Sequence, residues 1–277
     1  MFKLEFITQA FLISVITGLV LSYLGVHVVG RGIVFVDLAL GQISSLGVAY
    51  SDFIGKGQTV IPIVFTLIGA FLLSFINIRD KRLKQEAIIG IIYAVASAAT
   101  VMLISKTPHG DSDIQEVLFG NILSASWEQI TLVGIVFGII ALVHIIFNKK
   151  FFDLTHRYEN GEAQAIGVFN IWNFLFYITI GLAIVFAVRV NGVIPVFSYL
   201  IIPAVGAIML ARKNFVLVII ALAISIGGAF LGLNVSYTYD FPAGSSIVAA
   251  LGFLFLIIAI IRVMRDFVIK PKVKTEE

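Results

Sequence analysis

The sequence contains no cysteine, and charged residues make up only 13% of its 277 residues. Without cysteine, disulfides, thiolate metal sites and cysteine nucleophiles are excluded. Soluble domains carry about 25% charged residues, so this chain has too little polar surface to form one. It also lacks an HExxH motif and a serine-nucleophile elbow, and Gly55-Lys56-Gly57 does not have the spacing of a phosphate-binding loop. An enzyme is therefore disfavoured, and any work driven by ATP needs a separate subunit.

Apolar residues account for 60% of the chain, and its mean hydropathy is +1.06. A helix of roughly 20 apolar residues crosses the hydrocarbon core of a bilayer. The pattern predicts a single transmembrane domain over residues 1–277, an all-α polytopic bundle of about eight or nine spans. The nine apolar stretches are 6–29, 33–54, 58–78, 87–105, 127–147, 171–189, 192–211, 215–233 and 245–263.

Basic residues predict which loops face the cytoplasm, because short cytoplasmic loops are enriched in lysine and arginine. Four clusters lie within 79–84, 149–157, 212–213 and 262–274. All four fall on one side if nine spans alternate in direction. This arrangement places the N-terminus outside and the C-terminus inside.

The second span is unusually polar for a membrane helix, since it carries Asp37, Gln42, Ser44 and Ser45. An ionisable group inside a span costs about 3 kcal/mol on insertion scales and suggests a functional site. For a helix that starts at residue 33, Asp37 lies about 6 Å and Gln42 about 14 Å along the axis. At 100° per residue these two differ by about 140°, whereas Asp37 shares a face with both serines. The alternatives are that Asp37 caps or pairs with a neighbouring helix end and that Gln42 makes an interhelical hydrogen bond.

The longest outer loop contains His109 and Asp111, followed by Asp113 and Glu116. Imidazole and carboxylate groups are ligands for zinc, manganese or iron. Acidic residues at the mouth of a path also raise the local concentration of cations. The alternative is an ordinary solvated loop.

On the inner side, residues 148–170 form a second long connection in which Glu162 to Val168 predicts a short surface helix. Such a helix either docks a soluble partner or lies on the membrane without one. Pro195 and Pro203 interrupt the seventh span, which indicates either a cavity lined by freed carbonyl groups or a simple kink. His27 and His144 lie near the inner ends of their spans, where we expect interfacial side chains.

Several segments together resemble the membrane permease subunits of ABC-type importers for divalent metal ions, the ABC-3 family. They are RGIVFVDLALGQISSLG (31–47), QEAIIGIIYA (85–94), PHGDSDIQEVLFGNIL (108–123), GEAQAIGV (161–168), the long run 173–210 and YDFPAGSSIV (239–248). The resemblance implies a permease of the type II ABC importer kind that forms a homodimer. It also implies a separate ATPase subunit on the cytoplasmic face and an extracytoplasmic metal-binding protein. Residues 161–168 match the position of the family's coupling helix, so Glu162, Ala163 and Gly167 are expected to contact the ATPase.

One departure from the family pattern lies in the second span. Many members read F-x-G-D-A-x-x-H there, with the aspartate and the histidine offered to the metal. Aligned on Phe35 and Gly47, this chain has Leu38 at the aspartate and Gln42 at the histidine, and its own carboxylate is one residue earlier. The family's usual ligands are therefore not carried over, and a neutral amide oxygen is a poorer zinc ligand than imidazole.

These observations together predict a permease that imports zinc, manganese or iron across a bacterial inner membrane. The metal ion is its substrate, no cofactor resides in the chain, and ATP is bound by the partner subunit. Asp37, Gln42, Ser44 and Ser45 are expected to line or gate the translocation path, with His109 and Asp111 at its outer mouth. The alternatives are a permease for a metal chelate, siderophore or vitamin, and a secondary transporter without an ATPase.

Overall fold

The computed structural model of the chain describes residues 5–76, 85–106, 118–162 and 170–269, with side chains up to residue 265. Within these ranges the chain is helical and contains no strand, as the sequence predicts. The helices are α1 (Glu5–Arg31), α2 (Val36–Ile54), α3 (Val60–Ser74), α4 (Gln85–Ile104), α5 (Trp127–Ile146), α6 (Asn148–Glu159), α7 (Ile171–Asn191), α8 (Val193–Leu210), α9 (Asn214–Tyr239) and α10 (Ala243–Ile269), and a short 3-10 turn covers Ile122–Ser124.

Seven of the described helices are long and apolar enough to cross a membrane: α1, α4, α5, α7, α8, α9 and α10. Two more helices occupy apolar stretches of the sequence but fall outside this set. The helix α3 has only 15 residues, and α2 carries the polar residues noted above. Length and composition therefore identify a multi-pass membrane protein with seven candidate spans, and this count does not establish the eight or nine spans expected from the sequence.

The helix α1 lies at the centre of one group of helices, packed against α8 and α9. Two glycines allow this close approach. A Cβ atom at Gly25 would overlap the backbone carbonyl of Leu200, and one at Gly18 would meet Ser225 Oγ and the ring of Tyr199. Small residues let membrane helices approach each other's backbones. Van der Waals contact between helix backbones therefore stabilises this part of the bundle.

A second group of helices surrounds α2, which packs against α3, α4 and α7. A Cβ atom at Gly47 would lie 3.2 Å from Phe65 Cβ, and one at Gly69 would lie 2.7 Å from Ile43 Cδ1. The polar helix is thus held closely along the face that meets α3. It is not a peripheral anchor of the bundle.

Only Gly192 separates α7 from α8, and it has a φ of +79°. Asn121 N donates to Val190 O at 3.1 Å, and Gly120 lies so close that a Cβ atom there would overlap the backbone of Asn191. Of the two prolines predicted to interrupt this region, Pro195 lies in the first turn of α8 and Pro203 lies inside the helix. The break itself is at Gly192, where a side chain has no room.

Candidate functional site

The helix α2 begins after a tight turn from α1. Gly32 has a φ of +67° and closes α1, with hydrogen bonds from Gly32 N to Val29 O and from Ile33 N to Val28 O. This pair of bonds is the Schellman arrangement that ends a helix on glycine. The turn is then held by Glu86 of α4, whose Oε1 accepts a hydrogen bond from Val34 N at 3.0 Å. The ends of α1, α2 and α4 therefore lie together.

Asp37 lies in the first turn of α2 and is only 2% exposed. No side-chain donor among the described residues pairs with its carboxylate, which lies beside the first backbone N–H groups of the helix. A helix N-terminus stabilises a nearby negative charge. Asp37 is thus a buried acidic residue at the start of α2, and no positively charged side chain pairs with it within the described ranges.

Ser44 and Ser45 lie on the same side of α2 as Asp37 and are fully buried. Ser45 Oγ donates to Gly41 O at 3.0 Å, whereas Ser44 Oγ has no hydrogen-bond partner in the described part of the chain. A Cβ atom at Gly41 would lie 3.5 to 3.7 Å from Val188 and Val193. This face of α2 therefore points into the bundle between α3 and the junction of α7 and α8.

Gln42 lies on a different side of α2. Residues spaced three or four apart share one side of a helix, and Gln42 follows this spacing with Phe35, Leu38, Leu46 and Phe53. Phe35 is 44% exposed, Phe53 is 58% exposed, and both leucines are half-buried. We call this row the α2 stripe. Gln42 itself is 6% exposed, and its amide makes no hydrogen bond within the described ranges. The α2 stripe is exposed at its two ends, whereas Gln42 and the neighbouring Ala49 in its middle are buried. Gln42 is its one amide among apolar side chains.

The structure also changes the expected distance of Gln42 from the start of α2. Because α2 begins at residue 36 and not at 33, Gln42 is about 9 Å from the helix start. The sequence placed it about 14 Å along a longer helix. Gln42 therefore belongs to the second turn of α2, nearer to the start of the helix than expected, while its separation from Asp37 along the axis is unchanged.

A buried polar cluster lies beside the start of α2, and the helix α6 contributes to it. Arg31, at the end of α1, is 6% exposed, and its Cζ is 3.8 Å from the centre of the Phe176 ring. Its Nε donates to Thr155 Oγ1 at 3.2 Å, and its NH1 donates to Asn173 Oδ1 at 3.2 Å. No carboxylate among the described residues pairs with it. Arg31 thus joins α1, α6 and α7 through hydrogen bonds and ring contact.

Thr155 fixes the orientation of a histidine in the same cluster. Its hydroxyl donates to Phe151 O at 3.0 Å, so the 2.9 Å contact with His27 Nδ1 requires the imidazole to donate. The same argument applies to His144, whose Nε2 is 2.9 Å from Thr179 Oγ1 while that hydroxyl donates to Phe176 O. Both imidazoles therefore donate from a defined nitrogen.

The two histidines were expected at the membrane interface, but the structure corrects this expectation. His27 is fully buried and His144 is 1% exposed. Their ring centres are 6.2 Å apart, and His144 stacks on Phe151 at 4.1 Å. They are buried because α6 folds back over the inner ends of α1 and α5.

The helix α6 was not predicted from the sequence, which placed a surface helix only at 162–168. Its buried residues Phe151, Phe152, Leu154 and Thr155 lie on one side. Such spacing is typical of an amphipathic helix. The same amphipathic pattern can be read in the sequence of the connection 148–170, so it could have predicted this helix.

The structure describes only one of the remaining predicted site residues. Glu162 is exposed just after α6. Ala163, Gly167, His109 and Asp111 lie outside the described residues. In the described part of the chain, no group of three or more histidine, aspartate and glutamate side chains is arranged to hold a metal ion.

The fold and sequence can be compared with known proteins. The chain is 29% identical to the manganese import system permease protein ScaB of Streptococcus gordonii over 273 residues, covering 97% of this chain and 92% of that protein. It is 26% identical to the high-affinity zinc uptake system membrane protein ZnuB of Haemophilus influenzae over 253 residues, covering 91% and 96% of the two chains.

A solved structure is also similar over most of its length. It is that of PsaBC from Streptococcus pneumoniae in complex with Fab, with a TM-score of 0.77, 27% identity, and coverage of 92% of this chain and 91% of that one. The model of the ABC 3 transport family matches residues 3–262, which is nearly the whole sequence. The chain therefore belongs to the ABC 3 transport family.

Proposed function

We propose that this chain is the membrane permease subunit of an ATP-driven importer for divalent metal ions, with manganese, zinc or iron as substrate. The family assignment supports this role, and relatives named for manganese import and zinc uptake cover nearly the whole chain. The observation that carries the proposal is α2, a buried helix with a carboxylate, an amide and two serines inside a bundle of apolar helices. A transporter needs such polar groups within the membrane, whereas an anchor does not.

The translocation path runs along the α2 stripe, where Gln42 provides the only amide. A second copy of the permease covers this stripe, so that two copies of Gln42 face the path across a homodimer. Asp37 and Ser44 act from the opposite side of α2, and Ser45 lies between the two sides. All three gate the path by holding the helix against α3, α7 and α8. This division rests on the burial of the three residues and on the partial exposure of Phe35 and Phe53.

Two further helices, α2 and α3, cross the membrane together with the seven candidate spans, which makes nine. Contacts at both ends of the bundle support an odd number of crossings. Arg31 meets Thr155 and Asn173 at one end, and Trp127 Nε1 donates to Glu5 Oε1 at the other. The basic clusters then lie with the first end, which faces the cytoplasm of a bacterial inner membrane.

The ATPase subunit docks on the cytoplasmic end, against Glu162, Ala163 and Gly167. The helix α6 leads directly into this segment and is joined to α1 and α7 through Thr155 and Arg31. Closure of two ATPase subunits on ATP moves this segment, and α6 transmits the displacement to the start of α2. The path then alternates between outward and inward openings. At the outer end, the metal-binding protein docks over the mouth that includes His109 and Asp111.

Uptake by the reconstituted complex tests this function. The permease and its ATPase subunit are placed in vesicles, the metal-binding protein is added outside, and manganese, zinc and iron are compared. We expect ATP-dependent uptake of at least one free ion. Equal uptake without the ATPase identifies a secondary transporter, and uptake confined to a metal chelate or siderophore identifies the related class of permease.

A further inference from the structure

At the outer end of the proposed orientation, a cavity of about 250 Å³ lies between the start of α1, the 3-10 turn and the end of α9. Three aromatic side chains and one carboxylate line it, those of Phe6, Tyr237, Phe241 and Asp240. The other described lining residues are Ile7, Leu123, Leu233 and Ser236. The cavity therefore offers aromatic rings and one negative charge in the same place.

Asp240 is held by the turn that ends α9. Its φ of +56° is the only positive φ of a non-glycine residue among those described, and aspartate and asparagine adopt this conformation more readily than most residues. Ser236 Oγ donates to Phe241 O at 2.7 Å, and Phe241 N donates to Ser236 O at 3.2 Å, so two hydrogen bonds close the turn. The carboxylate of Asp240 accepts no hydrogen bond and forms no ion pair within the described ranges. Its charge is therefore not neutralised by a described partner.

The three aromatic side chains are partly exposed, as rings at a membrane surface usually are. Phe6 is 44% exposed, Tyr237 is 51% exposed and Phe241 is 56% exposed. Tyr239 stacks on Phe241 with ring centres 6.0 Å apart, which supports the orientation of that ring. A cavity of this volume has a radius of about 4 Å, so a cation at its centre lies within the roughly 6 Å over which aromatic rings attract cations. The cavity thus has the lining and the size of a site for a small organic cation.

We propose that this cavity binds a quaternary ammonium group such as that of choline, with its methyl groups on the rings and its charge beside Asp240. Aromatic cages are the usual sites for such groups. A primary ammonium carries three N–H donors, and a divalent metal ion takes several oxygen ligands. The described lining offers one carboxylate and two hydroxyl groups, which are too few for either. A quaternary ammonium has no N–H group, so it loses no hydrogen bond to water on entering an aromatic site.

Two sources carry this group to the outer surface of the membrane, a choline lipid of the outer leaflet and free choline in solution. Both present the same trimethylammonium chemistry to the cavity. The proposal uses the membrane orientation given above but does not depend on the transported ion.

Saturation-transfer NMR on the purified permease–ATPase complex tests the site with choline and ethanolamine, which differ only in the methyl groups on nitrogen. Native mass spectrometry of the same complex compares phosphatidylcholine with phosphatidylethanolamine, the matching pair of lipids. We expect the methylated member to bind more tightly in at least one of the two pairs.

The variants Asp240→Asn and Phe241→Leu should each weaken that binding by about three- to fivefold, the effect of one charge or one ring at a partly exposed site. Asparagine also adopts a positive φ, so Asp240→Asn keeps the turn. Phe6→Leu on α1 keeps the proposal testable if Phe241→Leu disturbs the turn. Phe215→Leu, at the other end of α9 and 76% exposed, is the matched control and should bind as the unmodified complex does.

The outcomes separate the two sources. Selective retention of phosphatidylcholine that the cavity variants reduce assigns the site to a lipid headgroup. Selective binding of choline without selectivity between the lipids assigns it to the free solute. Equal binding within both pairs, or unchanged binding in all three cavity variants, overturns the proposal. Metal uptake is measured separately, so failure of this site leaves the test of transport intact.

Discussion

Arg31 Nε donates a hydrogen bond to Thr155 Oγ1 at 3.2 Å, and this contact joins the last residue of α1 to the helix α6. Thr155 Oγ1 also accepts from His27 Nδ1 and donates to Phe151 O, so its hydroxyl makes three bonds in a buried site. Only Gly32 to Phe35 separate Arg31 from the start of α2. A movement of α6 therefore reaches the proposed translocation helix over a short distance.

Replacing Thr155 with valine tests this connection. The substitution keeps the shape of the side chain but leaves His27 and Arg31 without their acceptor, and a buried unsatisfied polar group costs about 1–3 kcal/mol. We expect a lower unfolding temperature of the purified complex and a lower ratio of transported ions to hydrolysed ATP. Thr155→Ser should restore both quantities.

The control for Thr155 is Thr131→Val on α5, where an exposed hydroxyl donates only to Trp127 O. It should leave stability and coupling near those of the unmodified protein. Unchanged coupling in Thr155→Val would remove α6 from the proposed mechanism.

Replacing Gln42 with leucine should reduce metal uptake by about tenfold, a barrier increase of about 1.4 kcal/mol, because it removes the one amide of the α2 stripe. The complex should still assemble, since Gln42 makes no hydrogen bond within the described ranges. Uptake and subunit assembly are measured on the same preparation. Gln58→Leu is the control, as Gln58 is exposed beyond the other end of α2. Normal uptake by Gln42→Leu would contradict its role in the path.

Asp37→Asn replaces the buried carboxyl group at the start of α2 with an amide of about the same size. If Asp37 gates the path, uptake should fall and the substrate concentration at half-maximal uptake should change little, because the residue is behind the α2 stripe. Asp52→Asn lies at the exposed end of the same helix and should leave uptake unchanged. Equal uptake by the two variants would show that the carboxylate of Asp37 has only a structural role.

Gly25→Ala should destabilise the bundle by about 1–3 kcal/mol, the usual cost of overpacking. The added methyl group overlaps the carbonyl of Leu200, which is backbone and cannot rotate away. Thermal unfolding of the detergent-purified complex measures the effect. Gly138→Ala on α5 meets open space and provides the matched control. Its stability should not decrease, since alanine favours a helix over glycine.

Gly167 lies outside the described residues, and its proposed role is tested by function alone. A bulky substitution, Gly167→Trp, should uncouple ATP hydrolysis from transport while membrane insertion remains normal. The measurement is the ratio of uptake to ATP hydrolysis in reconstituted vesicles. A normal ratio would argue against contact between this segment and the ATPase.

Much of the fold could be predicted because long hydrophobic runs in the sequence predict membrane helices. The second span was recognised from Asp37, Gln42 and the two serines, and its helical rotation already separated Gln42 from Asp37 and Ser44. The start of that helix was misplaced by three residues. The hydrogen bond from Val34 N to Glu86 holds the turn before it, and this partner is 52 residues away in the sequence.

The buried polar cluster around Arg31 was missed because its members come from four separate helices, α1, α5, α6 and α7. His27, His144, Thr155 and Arg31 look like unrelated polar residues near the ends of spans. They become one site only when α6 folds back over α1 and α5, which excludes water and leaves Thr155 Oγ1 to accept from both His27 and Arg31.

The sequence alone determined the all-helical membrane character, the resemblance to metal importers and the absence of the usual ligand pair in the second span. These properties follow from composition and from the local order of residues. Tertiary structure decided which residues of α2 are covered and what surrounds Arg31. Those features depend on contacts between distant helices, where close backbone approach at Gly25 and buried hydrogen bonds at Thr155 select one packing.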